Sequence, residues 1–118
     1  MKKNVFLICP IRDIPFEYEQ LIKMQVEYLE HEYEVYYPGR DTNQHKSEIN
    51  ICNDNLEAMK KADVVFVVWD GKSQGCLFDL GMAFALGKKV QSIIGYMPSM
   101  SSGKSFQNLV YEIEERQE

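Results

Sequence analysis

The stretch Asp63-Val-Val-Phe-Val-Val-Trp69 is the most apolar and β-branched run of the chain, and the turn formers Asp70-Gly71 follow it directly. A continuous apolar run of this kind is typical of a strand that is buried on both faces of a parallel sheet. We therefore predict that this run forms the central strand of a sheet. Whatever follows Gly71 then lies at the carboxyl end of that strand.

Three further segments of the sequence predict strands. Residues 4–9 form a second continuous apolar run, which Pro10 ends. Residues 33–37 are ended by Pro38-Gly39, and residues 90–94 form a short apolar segment. Because proline and glycine at such positions favour turns, we predict four separate strands.

Four segments have the spacing of amphipathic helices. They cover 15–30, 47–61, 76–86 and the residues from Phe106 onward, and Ser47 is placed to cap the second of them. The polar residues 40–46 predict a loop, the most mobile segment of the chain. The predicted buried faces of the first two helices are Tyr18, Leu21, Ile22, Gln25, Tyr28 and Leu29, and Ile49, Cys52, Leu56 and Met59.

The alternation of strands and helices predicts the fold class. It implies right-handed crossovers and helices on both faces of a parallel sheet of four to five strands, which is a flavodoxin-like or Rossmann-like three-layer α/β sandwich. In such sheets, ligands bind outside the carboxyl ends of the strands at a switch point in strand order. Here that rule indicates the loops 9–13 and 70–79.

Length, charge and cysteine content narrow the class of protein. The chain has 118 residues, 45% of them apolar, with 18 Asp plus Glu against 13 Lys plus Arg and a net charge of −5, so we expect one domain over 1–118. The acidic balance argues against a nucleic-acid polymer as partner. No membrane or signal segment is expected, and the three cysteines (Cys9, Cys52 and Cys76) are interpreted as reduced core thiols, which favours a cytoplasmic protein.

Several common chemical motifs do not occur in the sequence. There is no GxGxxG after the first strand and no GxSxG, and Gly103-Lys104-Ser105 lacks the rest of a Walker loop. His31 and His45 have no Cys or carboxylate at a metal-binding spacing. We therefore expect neither a metal nor an organic cofactor.

The segment from Ala62 to Val90 resembles the nucleoside 2-deoxyribosyltransferase family. It has a strand after Ala-Asp, an Asp-Gly turn, and a helix with a carboxylate before Leu-Gly-Met-Ala-Phe-Ala-Leu-Gly-Lys. The start, Cys9-Pro-Ile-Arg12, is similar to the Gly-Ser-Ile-Arg loop of the branch that hydrolyses 2′-deoxynucleoside 5′-monophosphates. Ser73 matches a phosphate-side serine of that branch.

Asp79 stands where the resemblance implies a catalytic glutamate. We predict that it lies in the first turn of its helix, where the dipole keeps it ionised, so that it can attack a sugar as a nucleophile with net retention. Asn55 stands where the family has an acidic residue, and Pro10 where it has a serine. Asp70 is interpreted either as the acid for the leaving base or as a turn residue.

Further residues are predicted to bind substrate. Arg12 would clamp a 5′-phosphate with the help of Ser73, and Phe16 is a better base-stacking candidate than Trp69 or Tyr96. The resemblance implies a homodimer or larger homo-oligomer, which small residues at Gly81 and Ala85 would permit. The full set of predicted substrate-binding residues is Arg12, Ser73, Pro10, Cys9, Ile11, Phe16, Gly75 and Asn108, the last turned toward a neighbouring subunit.

Two functions from different classes remain open on the sequence alone. One is N-glycosidic bond cleavage or transfer on nucleosides or (deoxy)nucleoside 5′-monophosphates. The other is a non-catalytic nucleotide-binding or sensing module, because Asp79 and Asn55 depart from the family pattern. A third, NAD glycohydrolase, has no sequence feature for the second half of the dinucleotide.

Overall fold

Four parallel strands form the sheet of this computed structural model, which describes residues 1–93 and 97–116. The order across the sheet is β2-β1-β3-β4, and all of β3 is buried, as predicted for the central run. β4 is shorter than predicted, and Ile94 lies outside the described residues. The strands are β1 (Lys3–Ile8), β2 (Tyr33–Tyr36), β3 (Val64–Val67) and β4 (Val90–Ser92).

Five helices accompany the strands within the described ranges. Four confirm the predicted helices, and the fifth, α2, is a single turn that makes the predicted loop over 40–46 wrong for its first two residues. Pro38 favours the first helical position, and the Asp41 carboxylate accepts the Tyr37 N–H at 2.9 Å. The helices are α1 (Phe16–Leu29), α2 (Pro38–Asp41), α3 (Glu48–Lys61), α4 (Gln74–Ala85) and α5 (Phe106–Arg116).

The helices form layers on both faces of the sheet, which confirms the predicted α/β sandwich. α1 packs on one face, where Ile22 and Val26 share a core cluster with Leu7 and Phe66. α3, α4 and α5 cover the other face. Their buried side chains there include Met59, Leu80 and Val110, which share a cluster with Phe6, Ile8, Val65 and Val67.

The buried faces of α1 and α3 differ from the predicted ones. α1 buries Ile22, Val26 and Leu29, whereas Tyr28 is 72% exposed. Successive helical residues are about 100° apart, so Tyr28 and Val26 cannot both face the sheet. In α3 the buried residues are Asn55 and Met59, and Ile49 near its start is 67% exposed.

Side chains of the chain itself cover both edges of the sheet. At β2, Arg40 donates to the Val35 carbonyl at 3.0 Å, next to the bond between Asp41 and Tyr37. At β4, the Glu114 carboxylate of α5 accepts both the N–H and the hydroxyl of Ser92. Bonds of this kind occupy backbone groups that would otherwise pair with another chain.

Removing the Glu114 carboxylate is expected to destabilise the fold. Ser92 is buried, so Glu114→Ala leaves its N–H and hydroxyl without their acceptor, which costs about 1–3 kcal/mol. Urea unfolding of this variant and of Glu115→Ala, which changes an exposed neighbour, measures the effect. Equal midpoints for both variants would show that the β4 edge does not need the carboxylate.

The cysteines are free thiols, and two of the three are buried as predicted. Cys9 and Cys76 are buried, but Cys52 on α3 is partly exposed, so its placement in the core was wrong.

Within residues 1–93 and 97–116, no helix is long and apolar enough to cross a membrane.

Candidate functional site

The strand order places a switch point between β1 and β3. The connection from β1 leads to β2 on one side, and the connection from β3 leads to β4 on the other. Ile8 and Val67 are in register at the carboxyl ends of the two strands. The segments that follow them therefore begin side by side, which agrees with the location predicted from the sequence.

Asp79 lies in the second turn of α4, not in the first. The helix begins at Gln74, so Asp79 is its sixth residue. Burial raises the pKa of Asp79 to about 7. The expectation that the helix dipole keeps this carboxylate ionised is therefore wrong, because the dipole acts within the first turn and desolvation outweighs it here.

Two thiols stand close to Asp79. Cys9 directly follows β1, and Cys76 is in the first turn of α4, one turn before Asp79. Burial, followed by the proximity of Cys76 and Asp79, raises the pKa of Cys9 well above its usual value. Burial raises the pKa of Cys76 to about 12, so both thiols are neutral at physiological pH and neither is a thiolate nucleophile.

Asp70 shapes the turn that leads into α4. Its Oδ1 accepts the backbone N–H groups of Lys72 and Ser73, each at 2.9 Å. Gly71, which directly follows Asp70, has a φ of +81°. This is the pattern of an Asp that stabilises a turn through its own following backbone. The geometry supports the turn interpretation of Asp70, with Gly71 supplying a conformation that other residues rarely adopt.

Ser73 caps α4 and is anchored by Trp69. The Ser73 hydroxyl accepts the Cys76 N–H at 3.4 Å, and the Trp69 indole donates to the Ser73 carbonyl at 3.0 Å. Trp69 is only 4% exposed, so its interpretation as a core residue is confirmed. Gly75, in the first turn of α4, is exposed and leaves that end of the helix open.

The segment after β1 presents one predicted binding residue, Arg12, to solvent. Pro10 is buried and Ile11 half-buried, but Arg12 is exposed, and its guanidinium bonds to no other described residue. Asp13 follows with a φ of +56°, a conformation that Asp tolerates better than most residues. No group in the part of the chain that the structure describes therefore competes with an anion for Arg12.

The family model for nucleoside 2-deoxyribosyltransferase matches residues 5–112, and so spans β1 to α5. The chain belongs to the nucleoside 2-deoxyribosyltransferase family. A solved structure of a 2-deoxyribosyltransferase from Leishmania mexicana has the same fold, with a TM-score of 0.61 and 21% identity, over 87% of this chain and 77% of that chain. No curated protein matches the sequence significantly.

Asn55, a predicted site residue of α3, is held in a hydrogen-bonded chain. Thr42 donates its hydroxyl proton to Asn55 Oδ1 at 2.7 Å, so the Tyr36 hydroxyl, 2.6 Å from Thr42, must be the donor in the next bond. Asn55 is 7% exposed, and Tyr36 stacks on Phe6 of β1. No hydrogen bond among the described residues links Asn55 to Asp79, and its observed bonds tie α3 to the segment after β2.

The Asn108 side chain forms hydrogen bonds within its own chain. Its Oδ1 accepts the Ser101 N–H at 2.8 Å, and its Nδ2 donates to the carbonyls of Ser101 and Gly103 at 3.0 and 2.8 Å. These bonds fix the loop before α5. The predicted role of Asn108 at a neighbouring subunit stays a prediction.

The aromatic candidates differ in accessibility. Phe16 begins α1 and is 70% exposed, so its ring is open to a ligand, whereas Tyr96 lies outside the described residues.

The expected homo-oligomer also stays a prediction. Gly81 and Ala85 are exposed as it requires, and Gly81 lies in an apolar groove with Leu77, Leu80, Phe84, Phe106, Leu109 and Ile113.

Tyr18 of α1 belongs to this site, although the sequence placed it only on a core-facing stripe. Burial, with Asp70, Cys76 and Cys9 nearby, raises the pKa of its hydroxyl well above the usual range. The hydroxyl oxygen is buried and has no hydrogen-bond partner among the described residues. The available sequence signal was a tyrosine in the first turn of the helix that follows the β1 loop.

Proposed function

We propose that the chain breaks the N-glycosidic bond of nucleosides or (deoxy)nucleoside 5′-monophosphates and passes the sugar to water or to a second base. The observation that carries the proposal is the carboxyl group of Asp79, half-buried beside Cys9 and Cys76 at the switch point of a nucleoside 2-deoxyribosyltransferase fold. A buried carboxylate beneath a sugar stabilises the oxocarbenium-like transition state of this reaction.

The proposed reaction has two steps at the anomeric carbon. The ionised Asp79 carboxylate forms a bond to C1′ while the C1′–N bond breaks, and the base leaves with the electron pair and takes a proton from water. In the second step, the oxygen of water or the nitrogen of an acceptor base attacks C1′, loses its proton, and releases the carboxylate. Two inversions give net retention of configuration.

The phosphate end of a nucleotide would meet Arg12 and Ser73. A free guanidinium can bind a phosphate bidentately, and the first turn of α4, beginning after Ser73, adds the positive end of a helix dipole. The 12-residue length of α4 is sufficient for that dipole. These features support the monophosphate as substrate alongside the nucleoside.

Incubation with a substrate panel tests the proposal. The panel contains nucleosides, ribo- and deoxynucleoside 5′-monophosphates and NAD, each with and without a second free base, and chromatography measures base release. We expect release from at least one nucleoside or monophosphate. Dependence on the acceptor base separates transfer from hydrolysis, and absence of release from every member would contradict the proposal.

Variants of two exposed basic residues test which part of the substrate Arg12 binds. Arg12→Gln is expected to raise KM for a monophosphate about tenfold and to leave the nucleoside unchanged, because only the phosphate bond is lost. Lys89→Gln also removes one positive charge and serves as the control. Lys89 directly precedes β4, so it lies at the amino ends of the strands, opposite the carboxyl ends where the site lies. Equal effects on both substrates would place Arg12 away from the phosphate.

A non-catalytic nucleotide-binding module is the second candidate, and two observations favour it. Asp79 is partly protonated at neutral pH, because its pKa is about 7. Asn55 Oδ1 is engaged by Thr42 and an amide cannot transfer a proton as a carboxylic acid does. Thermal stabilisation by a nucleotide without release of its base would favour this candidate.

A further inference from the structure

The hydroxyl of Tyr18 has an unmet hydrogen-bonding requirement. Its oxygen is buried, so bulk water does not reach it, and it has no hydrogen-bond partner among the described residues. A buried polar group without a partner is costly and is rare in folded proteins, where it often marks a site that a ligand or water completes. It is the one side-chain atom in this condition among the described residues.

The surroundings of this hydroxyl restrict what can bind it. Asp70, Cys76 and Cys9 lie close enough to oppose a negative charge on Tyr18. The Asp70 carboxylate would repel an anionic ligand group at this point, because like charges repel in a partly buried environment, whereas the neutral thiols would not. The hydroxyl therefore needs an uncharged acceptor, such as a sugar oxygen or a ring nitrogen or carbonyl of a nucleobase.

We propose that the Tyr18 hydroxyl donates a hydrogen bond to an uncharged acceptor atom of the nucleoside, and not to its phosphate. This assignment rests on the proposed function, since it adds a substrate-binding residue to the same site. It places the neutral part of the substrate beside Tyr18 of α1. The phosphate then lies away from Tyr18, toward the exposed Arg12.

The segment that joins β1 to α1 packs against the same part of the core as Tyr18. Ile14 of that segment packs against the same core cluster as Tyr18. Asp13 beside it has the positive φ described above, which is a less stable conformation for a residue other than glycine. We expect a ligand to reach Tyr18 by displacing this segment rather than a strand of the sheet.

Tyr18→Phe tests the assignment, with Tyr111→Phe as the matched control. The Tyr111 hydroxyl already donates to the Pro98 carbonyl at 2.9 Å, whereas the Tyr18 hydroxyl bonds to nothing described. We expect the urea midpoint of the free protein to fall for Tyr111→Phe, and to stay the same or rise for Tyr18→Phe. We also expect Tyr18→Phe to raise Kd for a nucleoside and for its 5′-monophosphate by the same factor, about three- to tenfold.

Each outcome of these measurements decides the assignment. A lower urea midpoint for free Tyr18→Phe would show that a buried water already satisfies the hydroxyl, and would overturn the proposal. Unchanged Kd values would overturn it as well, and weaker binding of the monophosphate alone would move Tyr18 to the phosphate. If the wild-type protein neither binds nor cleaves any member of the panel, the proposed function fails first and this assignment fails with it.

Discussion

Replacing Asp79 by Asn is expected to lower the rate of base release by roughly three orders of magnitude. The amide keeps the shape of the side chain but cannot form the bond to the anomeric carbon. The same mechanism requires the ionised carboxylate. Because the pKa of Asp79 is about 7, kcat/KM of the wild-type protein should rise with pH up to about 7 and become constant above it.

Two further variants accompany Asp79→Asn, one as a control and one with a longer side chain. Glu27→Gln makes the same chemical change at an exposed position of α1 and should keep full activity. Asp79→Glu lengthens the side chain by one carbon–carbon bond, about 1.5 Å, and so carries the carboxyl group farther from α4. A displacement of this order can change a rate about a hundredfold.

The result for Asp79→Glu distinguishes the two candidate functions. If the wild-type protein is inactive and this variant releases base, the pocket is intact and the natural chain is a binder. If the wild-type protein is active and the variant is not, the site is adapted to the shorter side chain. Activity that survives in Asp79→Asn would remove Asp79 from the proposed mechanism altogether.

The layers of the fold could be predicted because strand patterns in this chain have one interpretation. The run over 63–69 contains no polar residue between its ends, so it only fits a strand with helices on both sides. The buried faces of the helices were harder. α1 carries apolar side chains almost all around, including Leu21, Met24 and Tyr28 outside the buried stripe, so periodicity does not select the side that meets the sheet.

The position of the site followed from topology, but its electrostatics did not. Adjacent carboxyl ends of β1 and β3 bring Cys9 and Asp79 together across 70 positions of sequence. The protonation of Asp79 depends on burial by residues that are distant in the sequence. The spacing of residues around Asp79 in the sequence does not predict that burial. The partners of Asn55 and the unpaired hydroxyl of Tyr18 likewise require an account of every nearby donor and acceptor, which only coordinates provide.

Asp79→Asn is also expected to stabilise the folded protein above neutral pH. The folded-state pKa of about 7 lies above the ordinary value of 3.8, so the folded protein keeps this proton to a higher pH than the unfolded chain does. Between these values the unfolded chain binds fewer protons, and the free energy of unfolding therefore falls as pH rises. The full difference corresponds to roughly 4 kcal/mol above pH 7.

Thermal unfolding between pH 4 and pH 8 measures this contribution. Asn removes the titrating group, so the variant should exceed the wild-type Tm by roughly 10 °C at pH 8, and the difference should vanish near pH 4. Glu27→Gln, an exposed carboxylate, should show no such pH-dependent difference. A constant offset between Asp79→Asn and the wild-type protein would mean that Asp79 is ionised in the folded state, and the rate of base release would then not change with pH near 7.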